Sequence, residues 1–228
     1  MSQTPQQQLT EEQHEMMFGI DETYRVECFK NQQIYQFDTR LPKVLTDEMI
    51  KYFMQFEKVP ASTVDGPQST LRNTDVHWGE PNDWVGPFMY NYIAQANEHL
   101  FQYDLCGVYF NQVHMLNYNP GQFYGWHVDC QSNNMLAYGP PNHRSYLNYP
   151  LKEWTRKLSF TLQLSDEGDY TGGDVEIATN DDLSEPYVIS KKRGTLILFD
   201  SKIKHRVQPV KTGNRKVLVG WAVGPRWK

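Results

Sequence analysis

The sequence predicts a mainly β protein with flanking helices: about eight antiparallel strands wound as a double-stranded β-helix, or jelly roll, with N-terminal helices packed on its major sheet. Three observations predict it. Short runs rich in β-branched and aromatic residues, punctuated by Gly, Pro and Asn, recur from about residue 109 to 223. One of them, Leu158-Ser-Phe-Thr-Leu-Gln-Leu164, alternates strictly, so one face must lie under apolar cover while the other lines a polar space. Two amphipathic helical patterns precede these runs, and such stripes need a sheet to cover.

Taken in order, residues 1–20 are rich in Gln, Glu and Met without a period and are expected to be a mobile tail. Residues 21–228 are expected to form a single domain, with helical support over 45–104, a jelly-roll core over 108–225 and a long loop over 130–152. Tyr24 to Arg40 suits one or two strands. Thr46 is placed to cap a helix, with Asp47 and Glu48 in its first turn and Met49, Ile50, Phe53, Met54 and Phe56 as its apolar stripe. Pro60 to Thr70 breaks the pattern, and Leu71 to Trp78 resumes as an extended piece, with His77 and Trp78 either at the mouth of a site or simply packed. A second helix is read from Val85 to about Tyr103, with Phe88, Tyr92, Ile93, Ala96, Leu100 and Phe101 on its buried face. The strands then follow at about 109–118, 123–129, 158–164, 173–178, 186–190, 194–199, 203–209 and 215–223.

Composition excludes several classes. With 39% apolar and 14% aromatic residues, the 228-residue chain can fill a complete core. Cys28, Cys106 and Cys130 have neither a disulfide nor a zinc spacing, which fits a reducing compartment. No apolar run is long enough to span a membrane and the N-terminus lacks the features of a signal peptide, so the expected location is the cytoplasm. A net charge of −5 argues against nucleic acid as the main partner. The charge is uneven: residues 151–228 hold 14 Lys and Arg against 10 Asp and Glu, and the first 150 hold 8 against 17. Solvated faces are the plainer explanation of that spread.

Chemistry concentrates at Tyr118-Asn-Pro-Gly-Gln-Phe-Tyr-Gly-Trp-His-Val-Asp129. In an extended strand His127 and Asp129 point the same way, which offers two ligands of a metal site. His205, in another strand-like run, is the best third ligand, and two histidines with one carboxylate suit a non-haem ferrous centre with open positions. Arg215 shares a strand face with Val217, Val219, Trp221 and Val223, where its planar fork needs a carboxylate partner.

These residues resemble the 2-oxoglutarate- and iron(II)-dependent oxygenases, specifically the prolyl-4-hydroxylase-like branch, whose core is a cupin-like jelly roll. Tyr118 to Tyr124 is similar to the segment leading into that branch's metal-binding HxD, and Arg156 to Asp166 to its next core strand. Gly172-Gly173-Asp-Val-Glu-Ile, Gly194-Thr-Leu-Ile-Leu-Phe-Asp-Ser201 and then His205 follow in the expected order. The resemblance covers the last half of the chain well and the first half loosely. Two positions depart from it: Gln163 stands where many relatives carry a tyrosine that helps hold a distal carboxylate, and Arg215 where the branch often has lysine.

The resemblance implies that His127, Asp129 and His205 hold Fe(II). It further implies 2-oxoglutarate bound through its C1 carboxylate and keto oxygen, its far carboxylate on Arg215 with a hydrogen bond from Tyr118, and Gln163 and Trp221 lining the same pocket. O2 would occupy the remaining position, a substrate C–H would be hydroxylated with release of succinate and CO2, and ascorbate would serve as reductant. The loop 130–152 would be a lid, with Tyr138, His143, Arg144 and Tyr146, together with Tyr124, as substrate contacts. His143 as a fourth ligand is disfavoured, because it would block the open positions. The substrate is expected to be a protein, peptide or small amino-acid-type molecule. A non-catalytic jelly-roll binding module and an oxidative demethylase of alkylated nucleic-acid bases are the alternatives; the complete ligand set with Arg215 speaks against the first, the lack of a basic run against the second. Oligomeric state is not legible.

Overall fold

The structure is a computed structural model and describes residues 34–61, 70–80, 83–108, 113–130 and 154–225. In chain order its elements are β1 (Ile34–Asp38), α1 (Lys43–Met54), β2 (Lys58–Pro60), β3 (Arg72–Asn73), β4 (Asp75–Trp78), α2 (Val85–Ala96), β5 (Gly107–Val108), β6 (His114–Tyr118) and β7 (Phe123–His127). They continue with β8 (Trp154–Gln163), β9 (Tyr170–Gly172), β10 (Val175–Ile177), β11 (Tyr187–Val188), β12 (Thr195–Asp200), β13 (His205–Val207), β14 (Val210–Gly213) and β15 (Arg215–Pro225). The fold is the jelly roll that the alternation predicts. A major antiparallel sheet runs β1-β12-β8-β15-β6-β4-β2, with β5 on the far end of β15; a minor sheet runs β11-β10-β13-β7-β3; β14 and β9 form a separate pair.

The two faces of the major sheet explain the layers. Leu158, Phe160 and Leu162 of β8, with the following Leu164, turn to one side and meet Met49 and Phe53 of α1 and Met89, Ile93 and Ala96 of α2 in one apolar cluster. From the other side Leu116, Tyr118, Ile197, Phe199 and Val217 meet Val175, Ile177 and Val207 of the minor sheet. The polar face of β8, carrying Ser159, Thr161 and Gln163, therefore looks into the space between the sheets, as expected from its period of two. Among the described residues no helix is long and apolar enough to cross a membrane.

Each predicted core run matches a strand: β6, β7, β8, β10, β11, β12, β13 and β15. Both helices differ in detail. Helix α1 starts at Lys43 because Pro42, with φ −60°, already turns the chain. Thr46 is not its cap: it lies inside the helix, donating through Oγ1 to the Lys43 carbonyl at 2.9 Å and accepting from Arg193 Nε at 2.8 Å. Asp47 pairs with Arg193, and Met54 of the expected stripe is half exposed. Beyond α2, residues Asn97–Phe101 make one wider turn that ends at Gln102 with φ 54°. That turn swings Phe101 into the core, while Val85 and Met89, not Phe88, are fully buried in the first turns. The expected tail over 1–20, Cys28 and nearly all of the expected lid lie outside the described residues.

Candidate metal centre and cosubstrate pocket

His127 ends β7 and His205 begins β13, and the two are direct cross-strand partners, so both imidazoles leave the same face of the minor sheet. Asp129 follows in a bend rather than the strand expected there, held by backbone hydrogen bonds from Asp129 and Cys130 to the Ser201 carbonyl at 3.0 and 2.9 Å. His127 Nε2 lies 3.7 Å from Asp129 Oδ1 and His205 Nε2 3.5 Å from Oδ2. One ligand atom from each residue falls within 4.8 Å of the others.

The ring orientation decides what this cluster can hold. His127 Nδ1 donates to the Gly125 carbonyl at 2.8 Å, and His205 Nδ1 to the Ile203 carbonyl at 3.0 Å. A carbonyl only accepts, so Nδ1 carries the hydrogen and, in the neutral ring, Nε2 presents its lone pair to the carboxylate. Acceptors facing acceptors repel unless a cation sits among them. Burial, reinforced by His205, pushes His127 down to about 3, so its imidazole is neutral at pH 7. Burial would raise the Asp129 carboxyl, but His205, His127, Arg156 and the Ser159 hydroxyl outweigh it and hold the group well below the usual carboxylate range. The donor set fits a ferrous ion.

Ser159 was not anticipated, yet it donates to Asp129 Oδ2 at 2.6 Å and is 3.0 Å from Ser201 Oγ. It orients the carboxylate as outer-shell partners of metal ligands do. Arg156 was also unassigned: Nη1 donates to the Asp129 carbonyl at 3.2 Å and its guanidinium lies 3.6 Å over the Trp221 ring. Nothing in strand parity points to it, because between Ala222 and Val223 the β8–β15 register skips Lys157, and the bulge turns Arg156 to the inner face.

Arg215, paired across from Tyr118, is 1% exposed. Its Nη2 donates to Gln163 Oε1 at 3.1 Å, while Nε and Nη1 are buried without a partner among the described residues. A buried guanidinium with two idle donors is built for a carboxylate. Tyr118 lies beneath it, ring centroid 5.3 Å from the guanidinium carbon, its side chain bonded to Thr74. Burial pushes the Tyr118 hydroxyl up, against the pull of Arg72 and Arg215, so it remains a neutral donor.

Trp221 and Tyr124 sit elsewhere. Trp221 is six residues from Arg215 along β15, roughly 20 Å, so it belongs to the opposite end of the cavity from the Arg215 guanidinium; there its register partner is Ser159. The Tyr124 ring stacks on His127 at 3.5 Å, with the Arg72 guanidinium 4.6 Å from its centroid, and burial pushes its hydroxyl up to about 12. Of the two residues left open at the mouth, His77 is packed, its Nδ1 3.1 Å from the Phe56 carbonyl. Trp78 is 42% exposed and lies tilted against His114 at 4.5 Å between ring centroids, and His114 lies 5.4 Å from Trp221. Tyr138, His143, Arg144 and Tyr146 lie outside the described residues.

With this geometry the comparisons agree. Residues 113–223, which contain all the groups just described except Phe56, Arg72, Thr74, His77 and Trp78, match the family model described as 2OG-Fe(II) oxygenase superfamily. A PKHD-type hydroxylase of Synechococcus elongatus is 34% identical over 131 residues, 56% of this chain and 50% of that protein, so this chain matches about half the length of that relative. Among solved structures, a Pseudomonas putida prolyl-4-hydroxylase superposes with a TM-score of 0.62 at 20% identity, covering 87% of this chain and 95% of that one. A Trichoplax adhaerens prolyl hydroxylase, in complex with a hypoxia inducible factor oxygen degradation domain peptide fragment, does so with a TM-score of 0.61 at 14% identity, covering 83% and 82%. At those identities the structural likenesses speak for the fold. The family match over residues 113–223, the sequence relatives and the order of the motifs all point to the 2OG-Fe(II) oxygenase superfamily, and the sequence relatives are PKHD-type hydroxylases.

Proposed function

We propose that this chain is an iron(II)- and 2-oxoglutarate-dependent oxygenase that hydroxylates a C–H bond of a peptide or small amino-acid-type molecule. One observation carries the reading: two sets of buried atoms are incomplete in complementary ways. The lone-pair faces of His127 and His205 turned on Asp129 call for a dication, and Nε and Nη1 of Arg215 call for a carboxylate. Ser159, beside Asp129, and Gln163, beside Arg215, lie four residues apart on one face of β8, roughly 13 Å. An extended five-carbon dicarboxylate anchored at its near end on a metal suits a space of that order.

Bound there, Fe(II) supplies the oxidising chemistry, in which 2-oxoglutarate, O2 and a substrate R–H become succinate, CO2 and R–OH. The side chains contribute placement and dryness. The Gly125 and Ile203 carbonyls fix the two imidazoles, and Ser159 fixes the carboxylate. Arg215 and Tyr118, both fully buried, would orient the cosubstrate and keep its far end from water. At the other end Arg156 over Trp221, with Tyr124 against His127, would floor the substrate's approach. Trp221 Nε1 is buried without a partner among the described residues and is a ready donor to a carbonyl, a group every peptide carries. The peptide bound to the Trichoplax adhaerens enzyme favours the same substrate class. Tyr138, His143, Arg144 and Tyr146 remain the proposed contacts from the lid, and the free thiols of Cys106 and Cys130 fit a cytoplasmic setting.

The test is to incubate the protein with ferrous iron, 2-oxoglutarate and ascorbate, adding host peptides and metabolites in separate reactions, and to follow succinate together with products one oxygen atom heavier. His127→Ala should abolish both. An anaerobic titration that shows no charge-transfer band on adding 2-oxoglutarate to the ferrous protein overturns the proposal.

A further inference from the structure

Beside Arg215 lies a third unsatisfied donor that neither the strand pattern nor the family motif assigns. Tyr170 opens β9, and its register partner on β14 is Gly213, two residues before Arg215. It is 4% exposed, and its hydroxyl finds no hydrogen-bond partner among the described residues. Its ring does not belong to the helix-side core. It lies in the cluster that fills the space between the sheets, with Tyr118, Val175, Val210 and Val217.

Gly173 shows that the Tyr170 and Arg215 side chains are neighbours. A Cβ at this residue would stand 3.4 Å from Tyr170 Cε2 and 3.3 Å from Arg215 Cδ, so the two side chains flank one glycine. With φ +62° and Val210 Cγ2 at 2.9 Å from the same point, this position has conformation and room for glycine alone. On the other side Lys191 fixes the turn after β9, donating to the Gly172 carbonyl at 2.8 Å and pairing with Asp174 at 2.9 Å, with its ammonium 5.4 Å from the Tyr170 ring centroid. The ring is thus clamped with its polar end idle. Burying a phenol without a partner is costly, and it is costly for the same reason at Arg215 Nε and Nη1. Gln163 offers no relief: its carbonyl oxygen accepts from Arg215, and no hydrogen bond joins it to the Tyr170 hydroxyl.

We infer that Tyr170 donates a hydrogen bond to the distal carboxylate of the dicarboxylate cosubstrate, beside Arg215. Together they form the charge-assisted set that a carboxylate needs at the closed end of the pocket. This rests on the proposed function, and it assigns to β9 the hydroxyl that Gln163 cannot supply from β8. Tyr170 is here a cosubstrate-binding residue with no part in metal binding.

The experiment compares wild type with Tyr170→Phe in anaerobic titrations of the ferrous protein, using 2-oxoglutarate and 2-oxopentanoate, which keeps the keto acid but lacks the far carboxylate. Tyr170→Phe should weaken 2-oxoglutarate binding by about 10- to 100-fold, the loss expected for one charge-assisted hydrogen bond. It should leave 2-oxopentanoate within about twofold. The ligand-free melting temperature should hold or rise, because the idle buried hydroxyl is gone. Unchanged 2-oxoglutarate affinity in Tyr170→Phe overturns the inference while leaving the enzyme reading intact. Equal weakening of both keto acids, or a lowered ligand-free melting temperature, means that Tyr170 only supports the pocket's shape and overturns it too. A wild type that takes up no 2-oxoglutarate removes both readings together.

Discussion

Replacing Arg215 with methionine, which fills a similar length without charge or donors, should move stability and affinity in opposite directions. Among the described residues Arg215 makes one side-chain hydrogen bond, to Gln163, and leaves Nε and Nη1 buried and idle. Each idle donor costs about 1–3 kcal/mol, while the charged bond to Gln163 is worth about 1.5–3 kcal/mol. Exchanging a buried cation for a packed apolar chain is often neutral or stabilising by about 1–4 kcal/mol. Arg215→Met strands Gln163 Oε1, which offsets part of that, so the ligand-free protein should be between unchanged and about 2 kcal/mol more stable. In a chain of this size that is a rise of up to about 4–8 °C in melting temperature. The same change removes the partner of a buried carboxylate, at about 2–5 kcal/mol, or roughly 30-fold to several-thousand-fold in the 2-oxoglutarate dissociation constant. Thermal melts without cosubstrate, paired with anaerobic titrations of the ferrous protein, read both numbers. A variant that melts well below wild type yet binds 2-oxoglutarate with near-normal affinity would show that the guanidinium is structural, and the carboxylate pocket would have to be abandoned.

Other consequences follow from the same contacts. Ser159→Ala frees Asp129 Oδ2 from its 2.6 Å hydrogen bond and should weaken Fe(II) or Mn(II) affinity by about 10- to 100-fold, measured by calorimetry; an unchanged metal affinity removes Ser159 from the centre. The metal-free protein should lose stability as pH falls. His127 sits at about 3 when folded and near 6.5 when unfolded, so between those values the unfolded chain takes up the extra proton. Stability present above about pH 6.5 is lost toward pH 3, about 2 kcal/mol of it between pH 7 and 5; denaturant melts across that range should show the slope in wild type and its absence in His127→Asn. Gly220→Ala would place a Cβ 2.5 Å from Phe160 Cζ in the helix-side core. Overpacking of that kind costs about 1–3 kcal/mol, so the melting temperature should drop while 2-oxoglutarate affinity stays at the wild-type value.

Much of the candidate site was legible because its strands alternate regularly where the key side chains sit. The alternation of Leu158 to Leu164 gave both the covered face and the cavity face, and the period of β15 put Arg215 and Trp221 on the same side of the sheet. Choosing His205 needed only its chemistry and a strand-like setting, while its closeness to His127 came from the β13–β7 pairing, which no local pattern encodes. Tyr170 was hidden for a different reason: β9 spans three residues, too few for a period to register, and its partner β14 ends in glycine. The start of α1 went to Thr46 because a hydroxyl followed by two acids is what a cap looks like, yet Pro42 had already set the turn and Arg193, 147 positions away, claimed the hydroxyl.

Arg156 is the most instructive of these because parity gives a definite answer there and the answer is wrong. Counting back from Leu158 puts residue 156 on the helix side, among Leu158, Phe160 and Leu162. A guanidinium in that cluster would have no partner, and the skipped Lys157 relieves the conflict by advancing the strand one residue, which sends Arg156 to Trp221 and the Asp129 carbonyl. The charge itself was thus the signal, since a cation at a position that parity assigns to an apolar core implies a bulge between it and the next apolar residue. By the same logic the bulge serves the site as well as the packing: it delivers a cation beside the carboxylate that would bind metal and stacks it on Trp221 at the end of the cavity where substrate would enter.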